Sequence, residues 1–151
     1  MRIGVLSDTH ATSLDEVPSR IVSTLAKVDL IVHAGDFVAR EVLEGLKQIG
    51  EVKAVRGNMD SEELKRILPE KEIVEIEGKR IGIIHGWGPP YGIDDRVEGR
   101  FENVDVIIYG HSHYPQNELK RGVLFFNPGR ASNSFGIVTI GEQVRGEIIN
   151  L

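Results

Sequence analysis

The chain has 151 residues, 40% of them apolar and 27% charged, a size that supports one core and one domain spanning residues 1–151. It contains no cysteine, which excludes a disulfide, a thiolate metal ligand and a cysteine nucleophile. The formal net charge of -5 without a block of like charge argues against electrostatic binding of nucleic acid. No apolar run reaches the ~20 residues of a membrane-spanning helix and no signal-peptide profile is visible, so the expected location is cytoplasmic.

In chain order, a β-rich apolar run at residues 3 to 6 precedes helical spacing at Val17, Ile21, Val22 and Leu25. A second run at 30 to 32 precedes Val38, Val42, Leu43 and Leu46 at the same spacing, and a third lies at 52 to 55. This alternation predicts βαβ units with parallel strands buried on both faces. Residues 62 to 68 form a shorter helix candidate, with Ser61 as N-cap and Pro69 as its stop. Runs at 73 to 76, 81 to 84, 104 to 109, 123 to 126, 136 to 140 and 144 to 149 follow. Hairpin turns are expected at Glu77-Gly78 and Gly141-Glu142. The expected architecture is α/β: two packed mixed sheets with helices outside.

Polar residues cluster where the apolar runs end. The first run leads into Asp8 and His10, the second through Gly35 into Asp36, the third through Gly57 into Asn58. The run at 81 to 84 ends in His85, and that at 104 to 109 leads through Gly110 into His111 and His113. Ligands of α/β sheets bind outside the carboxyl ends of the strands, so these side chains should converge on one rim. Residues two apart in an extended chain point the same way, which pairs Asp8 with His10 and His111 with His113. The preceding glycines permit a sharp turn or a close approach. Oxygen and imidazole donors suit divalent Mn, Fe, Zn, Ni or Co better than Ca or Mg. If one carboxylate bridges, two ions each receive four ligands.

The strings SDTH, HAGD, GN with Asp60 two residues on, IIHG and GHSH occur in this order. The chain thereby resembles the calcineurin-like metallophosphoesterase superfamily, and within it the small YfcE/MJ0936-type phosphodiesterases, to which the retromer subunit Vps29 is related. The resemblance covers residues 2 to 129. It implies a four-layer α/β/β/α sandwich and two divalent ions, Mn or Ni first among them. Asp8, His10, Asp36 and His113 would hold one ion; Asp36, Asn58, His85 and His111 would hold the other, with Asp36 as the bridge. The implied reaction is hydrolysis of a small phosphodiester or phosphoester by in-line attack of a metal-bridging hydroxide, with Asp36, Asn58 and His85 as catalytic residues. Small enzymes of this kind often pair as a homodimer, although no exposed apolar stripe marks an interface.

Two positions depart from the family pattern. Met59 stands where many members carry a histidine that protonates the leaving group, which favours substrates with good leaving groups and leaves Asp60 a structural role. Asn127-Pro128-Gly129 is followed by Arg130 instead of serine. Around the site, Arg56, Arg96, Arg100 and Arg130 are candidate phosphate ligands. The Pro-rich loop from Trp87 to Tyr91 is either a substrate contact or a rigid loop packed on itself. His33 reads as a core or supporting residue, and Phe125, Phe126 and Phe135 as core. Two alternatives remain beside the phosphodiesterase: a non-catalytic protein scaffold of the retromer-subunit type, and a phosphomonoesterase or nuclease using the same site.

Overall fold

The computed structural model describes residues 1–151. The chain opens with β1 (Arg2–Leu6), a 3-10 turn (Leu14–Glu16) and α1 (Ser19–Leu25), then runs through β2 (Leu30–His33), α2 (Arg40–Ile49), β3 (Val52–Ala54) and α3 (Glu62–Ile67). The second half adds β4 (Lys71–Ile76), β5 (Lys79–Ile84), α4 (Ile93–Glu98), β6 (Val106–Ile108), β7 (Gln116–Lys120), β8 (Val123–Asn127), β9 (Ser134–Ile140) and β10 (Val144–Asn150). They form two mixed five-stranded sheets, ordered β10-β9-β1-β2-β3 and β4-β5-β6-β8-β7. The strands β1, β2 and β3 are parallel, as are β5, β6 and β8, while the outer strands return antiparallel.

The packing explains the layers. Alternate residues of each sheet face inward, and Val5, Val32, Ile81, Ile83, Ile108 and Phe126 belong to one buried cluster between the sheets. On the outer face of the first sheet, Leu6 and Ile31 meet Ile21 and Leu25 of α1 and Val42, Leu43 and Leu46 of α2. The second sheet's outer face packs Ile84, Ile107 and Phe125 on Ile93 and Val97 of α4. This is the expected α/β/β/α order. Close contact between the sheets depends on Gly136 of β9: a Cβ there would lie 2.3 Å from Phe126 Cζ, so the ring packs against bare backbone.

Several local expectations hold for stated reasons. Ser61 Oγ accepts from Leu64 N at 3.3 Å and caps α3. Glu77 and Gly78 take φ of 51° and 81°, the paired left-handed conformation of a two-residue hairpin. Others differ. Val17 is buried but precedes the helix, because Pro18 holds the extended N-cap position and α1 begins at Ser19. Strand β7 and helix α4 were not anticipated; the first carries QNELK, an exposed pattern with no apolar alternation.

Candidate metal centre

The residues singled out at strand ends come together. Asp8 and His10 follow β1, Asp36 follows β2, Asn58 follows β3, His85 follows β5, and His111 and His113 follow β6. Asp8 Oδ1 lies 3.9 Å from His10 Nε2, 3.9 Å from His85 Nε2 and 3.4 Å from His113 Nε2. Asp36 Oδ2 lies between two of the same imidazoles, 3.7 Å from His10 Nε2 and 3.2 Å from His85 Nε2. Asn58 Oδ1 is 3.1 Å from His85 Nε2, and the rings of His85 and His111 meet edge to face at 5.2 Å.

The backbone route differs from the extended geometry used to pair these residues. Asp8, His10, Asp36, His111 and His113 all have φ between 46° and 68°, the left-handed region that non-glycine residues rarely enter. Such strain persists where the surroundings overdetermine it, and it concentrates at functional sites. Asp8 and His10 do share one cluster. His111 and His113 separate, one toward His85 and the other toward Asp8 and His10, which corrects the expectation that spacing alone would aim them together. The close approach expected of Gly57 is present: a Cβ there would stand 2.2 Å from Asp36 Oδ1.

Each donor is aimed by a neighbour. Ser7 Oγ donates to Asp8 Oδ2 at 2.7 Å, as does the His111 backbone N–H at 3.2 Å, so Oδ1 alone faces the cluster. Met59 N–H donates to Asp36 Oδ1 at 2.8 Å, leaving Oδ2 for the imidazoles. His85 Nδ1 lies 2.7 Å from the Ala34 carbonyl and His111 Nε2 3.0 Å from that of Gly88. A carbonyl only accepts, so each of these nitrogens carries the proton. Burial works against an imidazolium at His85, but the hydrogen bond to Asp36 and the charges of Asp8 and Asp36 outweigh it and raise its pKa, so without a cation the ring tends to hold a second proton on Nε2, the nitrogen a bound cation would take over. Burial pushes the Asp8 carboxyl up, against the pull of His85 and Ser7. At Asp36 burial is outweighed by the hydrogen bond and charge of His85 and by Met59 N–H, leaving a pKa of about 2.

Two buried polar atoms have no hydrogen-bond partner here, Asp8 Oδ1 and His10 Nε2. Leaving such atoms unsatisfied costs about 1–3 kcal/mol each. Both belong to groups whose donor atoms lie within 4.8 Å of one another: Asp8, His10 and His113 in one, Asp8, Asp36 and His85 in the other. The donor set and its orphaned atoms fit divalent cations.

The surrounding residues support the site or pack beneath it, some as the sequence indicated and others not. Asp60 is buried and accepts three backbone N–H groups, from Gly57 at 2.7 Å, Val38 at 2.8 Å and Asp36 at 3.2 Å, the structural role expected of it. Asn127 Nδ2 donates to Gly110 O and Ser112 Oγ, shaping the loop that carries both histidines. His33 is fully buried, stacked on Phe37, with Nδ1 accepting from Gly35 N–H. Arg96 donates to the carbonyls of Trp87, Pro89 and Tyr91, so it clamps the Pro-rich loop and is no phosphate ligand. Arg130 is exposed, and its side chain makes no hydrogen bond to the site.

Comparisons with known proteins give the family and the fold. The family model described as the calcineurin-like phosphoesterase superfamily domain matches residues 1–141. A probable metallophosphoesterase of Methanocaldococcus jannaschii, MJ0623, is 42% identical over 134 residues, covering 85% of this chain and 67% of its own. The phosphodiesterase MJ0936 of the same organism is 31% identical over 155 residues, covering 93% of this chain and 91% of its own. A Vps29 structure from Entamoeba histolytica superposes with a TM-score of 0.77 at 22% identity, covering 100% of this chain and 99% of that one, a likeness of fold alone.

Proposed function

The chain belongs to the calcineurin-like phosphoesterase superfamily, and from that premise we propose that it is a two-metal phosphodiesterase acting on small substrates. The observation that carries this reading is the convergence of carboxylates and imidazoles from separate strand ends around the unpartnered Asp8 Oδ1 and His10 Nε2. Asp8, His10, Asp36 and His113 would hold one ion, and Asp36, Asn58, His85 and His111 the other; Mn or Ni is our first choice, with Fe, Co or Zn next. Bound there, the ions supply Lewis acidity toward phosphoryl oxygens and an activated water as nucleophile.

The chain's own groups do the rest. The Ala34 and Gly88 carbonyls fix the tautomers of His85 and His111, and Met59 N–H orients Asp36. Asn58, whose Oδ1 faces His85, can turn its amide N–H toward a phosphoryl oxygen as negative charge grows. No side chain at position 59 can donate a proton: Met59 is 57% exposed and carries a thioether, and the oxygens of Asp60 are committed to backbone. The leaving group must therefore take its proton from solvent or depart as an anion, so among diesters those with acidic leaving groups should turn over fastest. The scaffold alternative draws on the Vps29 likeness, which reaches no further than fold.

The test is hydrolysis of bis-p-nitrophenyl phosphate beside p-nitrophenyl phosphate, using chelator-stripped protein with Mn, Ni, Co, Zn or Mg restored. Turnover should return with metal and prefer the diester, and Asp36→Asn or His85→Ala should abolish it in protein that still melts cooperatively. Full activity in either variant, or no turnover by folded protein with any ion, would sink the proposal.

A further inference from the structure

An open cleft of about 560 Å³ adjoins the candidate metal centre and shares Asn58 and His85 with it. That volume is within the usual range for small-ligand pockets. Its walls carry three cations, Arg56, Lys65 and Arg100, against one carboxylate, Glu70, on a chain whose net charge is -5. The two arginines are held in place. Arg56 Nη1 donates to the carbonyls of Lys65 and Leu68 at 3.4 and 3.3 Å, while Arg100 Nη1 pairs with Glu70 Oε1 at 2.9 Å. Preorganised guanidinium groups of this kind bind phosphate oxygens with little ordering cost.

Trp87 lines the same cleft and is 42% exposed. It belongs to none of the three buried apolar clusters, and its loop is already fixed by Arg96, so the core has no use for the indole where it stands. The Arg100 guanidinium lies 5.8 Å from the indole centroid, so aromatic surface and positive charge adjoin. A flat ring bearing an anionic group matches that pairing.

We propose that this cleft binds the organic ester group of the substrate, and that this group is a single nucleoside carrying a second phosphate. Its base stacks on Trp87 and its second phosphate meets Lys65, Arg56 and Arg100. This rests on the phosphodiesterase reading and narrows it to short nucleotide diesters, since the cleft's few cations cannot follow a long polyanion.

Trp87 is the chain's only tryptophan, so intrinsic fluorescence reports on the cleft directly. Metal-loaded protein is titrated with adenosine 3′,5′-bisphosphate, adenosine 5′-monophosphate and ribose 5-phosphate. The bisphosphate should quench Trp87 saturably and bind about 10-fold tighter than the monophosphate, the increment of one charge-assisted contact near 1.4 kcal/mol. Ribose 5-phosphate should leave the emission unchanged. Lys65→Gln and Arg100→Gln should each shrink the bisphosphate's advantage. Equal affinity for the two nucleotides, an advantage unmoved by both substitutions, or no saturable quench would overturn the assignment. Turnover of bis-p-nitrophenyl phosphate is read separately. Its absence beside a retained, substitution-sensitive quench would discard the phosphodiesterase reading and support a nucleotide-binding cleft.

Discussion

Asp60 shows how a residue with no reactive part can decide whether the site forms. Its carboxylate gathers the backbone N–H groups of Asp36, Val38 and Gly57, which belong to loops after two different strands. Asp60→Ala leaves three donors unpaired, at about 1 kcal/mol or more each, so stability should fall by at least about 3 kcal/mol in a urea melt. Asp60→Asn keeps one acceptor oxygen and should fall between wild type and alanine. An alanine variant as stable as wild type would show that water replaces the carboxylate freely. Metal-capable side chains at strand ends are conspicuous in sequence, since nothing in a β-run asks for them, and that is why Asp8, His10, Asp36, Asn58, His85, His111 and His113 were legible. Asp60 was legible only as a residue without a histidine partner; two of its three bonds cross 22 and 24 positions of sequence, distances at which no spacing rule operates.

At the scale of elements, the loop after β5 ties the proposed substrate cleft to the candidate metal centre. It offers Gly88 O to His111 and Trp87 to the cleft, and Arg96 on α4 holds it through carbonyls at Trp87, Pro89 and Tyr91. Arg96 is therefore a positioning residue. On the two-metal proposal, Arg96→Ala should weaken binding of the ion assigned to His85 and His111 about 10-fold by calorimetry, the lower end of what losing an outer hydrogen-bond partner costs. Trp87 emission should shift red and its anisotropy fall, signs of a released loop that a simple loss of surface charge would not give. Arg96→Lys should not rescue either signal, because an ammonium cannot reproduce the planar fork. Sequence placed Arg96 among phosphate candidates because charge and proximity are visible there, whereas the carbonyl geometry of a turn is not. The same limit hid β7, whose exposed residues carry no periodicity, and α4, whose apolar content is confined to Ile93 and Val97.

At the scale of the whole molecule, the metal centre spans both sheets, so the packing between them sets its geometry. Phe126 of the second sheet lies on Gly136 and Gly146 of the first, where a Cβ would approach its ring to 2.3 and 2.8 Å. Phe126→Ala should cost about 4 kcal/mol and lower the melting temperature by about 10 °C. If the sheets were held chiefly by their outer helices, the loss would be far smaller. The alternation of βαβ units and the hairpin turns made this layering readable in sequence, but the glycine sockets for Phe126 depend on pairing between strands far apart in the chain.

Acid stability also belongs to the whole molecule, because His33 lies under the site with its ring stacked 3.5 Å from Phe37 and no exposed surface. Burial, reinforced by the charge of His85, pushes its pKa well below 6.5. In the unfolded chain the imidazole takes a proton as pH falls through about 6.5; in the folded chain it does not. The unfolded state then binds more protons, so stability present above pH 6.5 is lost as pH falls below that value. His33→Asn keeps an acceptor for the Gly35 N–H while removing the titration. Measured by urea melts on chelator-treated protein, the variant should be less stable at pH 8 through loss of stacking on Phe37. Between pH 7 and 5 its stability should decline less steeply than that of wild type. Parallel profiles across that range would mean that His33 is protonated in the folded protein, and that its ring nitrogens face a different set of partners from Thr9 and Gly35.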